Sequence, residues 1–228
     1  MRYAALYSGG KDSNLALWLA QERGMDVSYL ITVFPRRDDS YMFHKPNLLH
    51  VPMQAESLNI PLVLEESSGE KEKELTDLEN ALDSVEIDGV ITGAVASRYQ
   101  MDRIERMAHE RGLDVFSPLW GMDPDDLMNT LMEEGFECIV VGAAALGLNE
   151  TWLGRSIDRE CFGELKELNR RYGVNVAGEG GEYESFVLDA PNFEWGFTVQ
   201  EGVPLWDGLR GTYDIIKLGV RTPKGKTY

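Results

Sequence analysis

Two cysteines in 228 residues are too few to staple a chain of this size. Cys138 and Cys161 lie far apart and form no CxxC pair, which excludes a zinc cluster, a disulfide framework or a persulfide relay. Cys138 sits in the apolar run Phe136-Glu137-Cys138-Ile139-Val140-Val141 and is expected in the core. Positive charge is scarce as well, with 22 Lys and Arg against 39 Asp and Glu and a formal net charge of −17. Such a chain has no general pull on phosphate backbones, so a nucleic-acid partner, tRNA included, is disfavoured. The longest near-apolar stretch, residues 138–148, is too short to span a bilayer, and no membrane is expected. No signal peptide is read where Arg2-Tyr3-Ala4-Ala5-Leu6-Tyr7 runs straight into glycines, so a cytoplasmic protein is expected. What is plentiful is apolar residue, 43% of the chain, enough for a sizeable core.

The first half alternates strand and helix patterns. Strands are expected over 3–7, 27–34, 61–65, 88–95 and 115–119. Helices are expected over 13–23, 47–58, 70–82 and 98–111, the last capped by Ser97 with Met101, Ile104 and Ala108 inward. That order predicts an α/β, doubly wound parallel sheet. The pattern changes at Asp123-Pro124, an acidic cap followed by proline at the first helical position. Beyond it, strands over 138–143, 184–188 and 213–220 and a helix over 162–172 predict a smaller α+β domain. The boundary is placed so that 1–122 forms an ATP-binding domain and 123–228 a substrate-binding one.

Ser8-Gly9-Gly10-Lys11-Asp12-Ser13 falls between the first strand and the first helix. Two glycines let backbone N–H groups close on an anion, and the helix start adds partial positive charge. Lys11 contributes a full charge, Ser8 and Ser13 hydroxyls, and Asp12 a carboxylate for Mg²⁺. The spacing is not that of a Walker A loop. An ordinary Gly-Gly turn with a helix cap is the plain alternative; the complete hexapeptide at this junction favours phosphate.

The hexapeptide resembles the PP-loop of the N-type ATP pyrophosphatases, which implies a Rossmann-like domain of the HUP type and attack at the α-phosphate of ATP. Further stretches narrow the resemblance. Phe43-His44-Lys45-Pro46-Asn47, Gln54-Ala55, Ile60-Pro61-Leu62, Pro118-Leu119-Trp120, Leu153-Gly154-Arg155 and, above all, Gly178-Glu179-Gly180-Gly181-Glu182-Tyr183-Glu184-Ser185 are similar to the diphthine–ammonia ligases. So are Gly93, Ser97, Tyr99-Gln100, Arg103 and Glu105. The resemblance implies ATP-dependent amidation of diphthine, a modified histidine on translation elongation factor 2, with ammonium as donor and AMP and pyrophosphate released.

On that reading Lys11, Asp12, Arg103, Glu182 and Glu184 are candidate catalytic residues. Ser8 to Ser13, Gly93 and Ser97 border ATP. His44, Gln100, Glu179, Glu182, Tyr183 and Glu184 border the substrate. Read without the resemblance, Glu179, Glu182 and Glu184 are three carboxylates within six positions, either a solvated hairpin turn or a cation site. Both ammonium and the trimethylammonium of diphthine are cations, and Tyr183 offers a π face. Arg103 and Arg155 are read equally well as exposed helix or loop arginines paired with glutamate. A PP-loop enzyme acting on another carboxylate or amide, and an ATP-binding sensor without turnover, are the competing functions. A homo-oligomer is left open.

Overall fold

The computed structural model describes residues 1–35, 45–67 and 73–222. His44 lies outside the described residues. The chain divides into two compact units, Met1–Trp120 and Gly121–Tyr228.

In the first unit, strands β1 (Arg2–Leu6), β2 (Asp26–Pro35), β3 (Leu62–Ser67), β4 (Gly89–Ile91) and β5 (Asp114–Phe116) form one parallel sheet in the order β3-β2-β1-β4-β5. Helices α1 (Lys11–Glu22), α2 (Lys45–Leu48), α3 (Val51–Leu58), α4 (Lys73–Asp83) and α5 (Arg98–Glu110) make the crossovers. Side chains alternate across a strand, so one sheet face takes Ala4, Ile31 and Val90. They pack against Ala81 and Leu82 of α4 and Ile104, Met107 and Ala108 of α5. Right-handed crossovers carry α1 to the other face, because the strand order reverses at β1. Burying each large apolar side chain stabilises the unit by roughly 1.5–3 kcal/mol.

Several boundaries differ from the sequence expectation, each for a local reason. Helix α1 starts at Lys11 rather than residue 13, with Gly10 in extended conformation at its N-cap. The single helix expected over 47–58 is two, because Pro52 has no N–H to continue the ladder from Leu48. Ser97 does cap α5, its Oγ accepting from Gln100 N at 3.4 Å.

In the second unit, β6 (Glu137–Ala143), β7 (Tyr183–Asp189), β8 (Phe197–Trp206) and β9 (Gly211–Val220) form an antiparallel sheet in the order β7-β6-β9-β8. Helices α6 (Pro124–Glu133) and α7 (Arg159–Tyr172) complete it. Asp123 caps α6 by accepting from Asp125 N and Asp126 N, as the Asp-Pro pair predicts. Helix α7 begins at Arg159, three residues earlier than expected, because Asp158 accepts from Cys161 N at 2.9 Å. Strand β8 was not expected, since Gly202 and Pro204 interrupt its pattern and only Phe197 within it is buried. Among the described residues, no helix is long and apolar enough to cross a membrane.

Candidate active site

The strand order reverses between β1 and β4, and ligands of open α/β sheets bind at the carboxyl ends of the strands flanking such a point. The loop at residues 8–13 leaves β1 there, and residues 92–97 leave β4 beside it. Their approach is close. A Cβ on Gly93 would stand 2.8 Å from the carbonyl carbon and oxygen of Asp12 and from Ser13 N. Gly93 thus serves first to admit the start of α1 against β4, a packing reason that the sequence reading did not contain.

Gly9 has φ +78°, the left-handed region that favours glycine. Helix α1 carries no side-chain cap, so its first-turn N–H groups are left to other partners. Ser13 Oγ donates to Gly10 O at 3.1 Å and lies 3.2 Å from Ser8 Oγ, which accepts from Gly10 N at 3.4 Å. The two hydroxyls therefore shape the loop internally. Lys11 is buried, and its Nζ donates to both Asp12 carboxylate oxygens at 2.7 and 2.8 Å. Cation and carboxylate thus stand together at the helix start.

Beneath the loop lies a polar group that the sequence reading did not assign. Tyr7, Asn14 and Gln54 are buried together. The Tyr7 hydroxyl donates to Asn14 Oδ1 at 2.7 Å and lies 3.1 Å from Gln54 Oε1. Burial pushes the phenol well above its ordinary range, with the Asn14 hydrogen bond opposing. The available signal was polar residues standing where apolar ones are expected, beside Leu15 on α1 and Ala55 on α3.

On α5, Arg103 folds back over the Tyr99 ring, 3.3 Å from its centroid, and donates to Tyr99 O at 3.4 Å. Gln100 is exposed at the start of the same helix.

In the second unit the glutamate-rich segment is a tight turn entering β7. Glu182 accepts from Asn175 N at 3.1 Å and from Gly180 N at 2.7 Å, one bond on each carboxylate oxygen. Tyr183 is buried at 4%, its hydroxyl donating to Val176 O at 2.8 Å. That ring lies within the core, which corrects the expectation of a cation–π surface. Glu179 and Glu184 are half-buried in and after the turn. Arg155 pairs with Glu164 through two bonds of 2.7 Å and stacks over Trp152, the ion-pair alternative of the sequence reading. Cys161 is fully buried, and burial pushes its thiol up to about 11, against the nearby Arg155. Each glutamate and Lys11 is placed on its own unit.

Comparison with known proteins completes the assignment. A family model described as the diphthamide synthase N-terminal domain matches residues 1–115, and one described as the diphthamide synthase C-terminal domain matches residues 123–220. A diphthine--ammonia ligase of Bos taurus is 32% identical over 218 residues, covering 85% of this chain and 81% of that protein. One from Schizosaccharomyces pombe is 33% identical over 214 residues and 85% of this chain, but 35% of its own length. A solved structure titled as a predicted subunit of tRNA methyltransferase from Methanocaldococcus jannaschii aligns over 98% of this chain and 99% of its own. Its TM-score of 0.42 and 16% identity are too low to carry weight. With a family model on each half and relatives above 30% identity along most of its length, this chain belongs to the diphthamide synthase family.

Proposed function

We propose that this chain is the ATP-dependent ligase that amidates diphthine on translation elongation factor 2, using ammonium and releasing AMP and pyrophosphate. The observation that carries the reading is that both halves match the diphthamide synthase models, with curated ligases aligned across most of the chain. The glycine turn at the switch point of the parallel sheet supports it.

In this reaction a diphthine carboxylate oxygen attacks the α-phosphorus of ATP, and pyrophosphate leaves with the electron pair of the broken P–O bond. Ammonia then attacks the acyl carbon and loses one proton as AMP departs. The roles of Lys11 and the loop N–H groups are to hold the β- and γ-phosphates as the leaving pair. Arg103 stands for the phosphates at the carboxyl edge of the sheet. Glu179 and Glu184 stand for cations of the substrate side, with Gln100 beside them in role rather than in place.

Mg²⁺ fits as an ion carried by phosphate. Among the described residues no group of three or more His, Cys, Asp or Glu is placed to hold a metal, and one carboxylate plus phosphate oxygens and waters is a common Mg²⁺ set. Asp12 would supply that carboxylate, and the bound ion would neutralise charge on the departing pyrophosphate. Lys11 and Asp12, already paired, would then exchange each other for phosphate and metal. The chain is placed with its substrate in the cytoplasm.

The test is incubation with Mg-ATP, ammonium and diphthine-bearing elongation factor 2. AMP, pyrophosphate and a mass change matching replacement of carboxyl OH by NH₂ are expected, and Lys11→Ala should abolish them. ATP binding without AMP on this substrate would sink the ligase reading.

A further inference from the structure

Both carbonyls of the glycine pair are gripped from below by buried carboxamides. Gln54 Nε2 donates to Gly9 O at 3.2 Å, and Asn14 Nδ2 donates to Gly10 O at 3.0 Å. Gln54 and Asn14 are both fully buried. Between them the Tyr7 hydroxyl faces Asn14 Oδ1 and Gln54 Oε1. The Gly9 and Gly10 carbonyls, which can only accept, fix which end of each carboxamide points at the loop. With either amide reversed, its oxygen would face a glycine carbonyl and its NH₂ would face the tyrosine oxygen.

A trans peptide points its C=O and N–H in opposite directions. Drawing the Gly9 and Gly10 carbonyls inward therefore turns the Gly10 and Lys11 N–H groups outward. The contact of Gly10 N with Ser8 Oγ, on an exposed residue, agrees with that direction. Nor can Gly9 gain a side chain here. Its φ is +78°, and a Cβ would stand 2.6 Å from Gln54 Oε1.

We propose that Gln54, Asn14 and Tyr7 are positioning residues for ATP: two buried carboxamides joined by one phenol set the peptide planes of Gly9–Gly10, and so aim the loop's N–H donors at the β- and γ-phosphates. They touch no substrate. The inference rests on the phosphate-loop part of the function above and not on the identity of the amidated substrate.

Titration calorimetry with Mg-ATP and, separately, with Mg-pyrophosphate tests it on the full chain. Gln54→Leu should weaken both by about tenfold or more while leaving the circular dichroism of the folded protein unchanged, since a misaimed donor pair costs about 1.4 kcal/mol or more. In steady state the KM for ATP should rise and the KM for ammonium should not. Gln54→Glu carries the sharper readout. As a carboxylate it sets an oxygen against Gly9 O, whereas protonated it can again donate there, so its affinity relative to the unaltered chain should recover as pH falls. Tyr7→Phe keeps the ring and guards against misfolded variants, and a smaller loss of affinity is expected. Folded Gln54→Leu and Tyr7→Phe proteins that bind both ligands as the unaltered chain does would overturn the proposal, as would a Gln54→Glu affinity ratio flat with pH. An unaltered chain that binds Mg-ATP but forms no diphthamide would remove the ligase reading and leave this inference standing. One that binds no ATP would remove both.

Discussion

Glu184 folds across Gly142: a Cβ placed on that glycine would stand 3.2 Å from Glu184 Cβ and 3.4 Å from its Cγ. The two residues oppose each other on β7 and β6, and the same register row continues through Thr212 on β9 to Leu205 on β8. Directly opposed residues share a sheet face, so the carboxylate stem lies over the only position in the row without a side chain. Gly142→Ala should therefore move Glu184 by a few tenths of an ångström or more. If Glu184 meets a substrate cation, amidation by Gly142→Ala falls severalfold while Mg-ATP affinity stays unchanged. Equal loss of ATP affinity would show that the effect reaches the loop and that the assignment of Glu184 is wrong.

Gly93 makes the matching prediction in the first unit. Backbone atoms of Asp12 and Ser13 occupy the space its Cβ would need, at 2.8 Å, and backbone cannot swing aside as a side chain can. Gly93→Ala should shift the first turn of α1 from β4 and destabilise the unit by about 1–3 kcal/mol, the range for overpacking. Denaturant unfolding measures that cost. Mg-ATP titration should show weaker binding as well, because the moved turn carries Lys11 and Asp12. Unchanged stability would mean the strand end relaxes freely, and the close approach would lose its significance.

These glycines show what a single sequence hides. The position of the Ser8 to Ser13 loop was legible because its glycine pair falls between a strand and a helix that each carry their own period. The parallel sheet was legible because each strand and helix carries its own period, and caps such as Ser97 and Asp123 act within three residues. Gly93 and Gly142 gain their meaning from residues 81 and 42 positions away, to which no local pattern points. Gln54 could be singled out by its resemblance, but its role needs Gly9 and Tyr7 beside it. Strand β8 failed for another reason. It is an edge strand with one deeply buried side chain, so it has little alternation to read, and its pairing with β9 is fixed by the turn and the backbone ladder. Tyr183 misled in the opposite sense, since an aromatic between glutamates has the same appearance whether it points to a ligand or to Val176 O.

Glu182 separates a structural carboxylate from a substrate-binding one. Its oxygens accept from Asn175 N and Gly180 N, which closes the turn ahead of β7. Glu182→Gln can keep one of these bonds but sets an NH₂ against the other N–H. The variant should lose about 0.5–1.5 kcal/mol of stability, the net contribution of one hydrogen bond at a turn that water reaches. Amidation should fall along with it, and ATP binding should not. Glu182→Gln with unaltered melting and lost amidation would instead assign the carboxylate to substrate.

The Arg155–Glu164 pair predicts a pH dependence whose sign follows from its two partners. The hydrogen bond from Arg155 holds the Glu164 carboxyl below its ordinary value of 4.5, and the same bond raises the guanidinium. A depressed carboxyl contributes stability that is complete above its unfolded value and lost as pH falls through the folded one. The raised guanidinium contributes stability that is complete below its own unfolded value and lost only in strong alkali, beyond the range of ordinary unfolding experiments, so only the acid limb is observable. Glu164 is half exposed, which limits the pair to roughly 0.2–1 kcal/mol. What it orders is more than itself. Arg155 stacks over Trp152, and its carbonyl accepts from Val140 N, while Gly154 N donates to Val140 O. Segment 154–157 thereby joins β6, and the pair holds it there from outside. Urea unfolding of the unaltered chain and Glu164→Gln, compared at pH 7 and at successively lower pH, should show a stability gap that closes once the carboxyl is protonated. A gap that persists through that range would mean the difference comes from packing of the Glu164 stem on α7 and that the ion pair contributes nothing measurable.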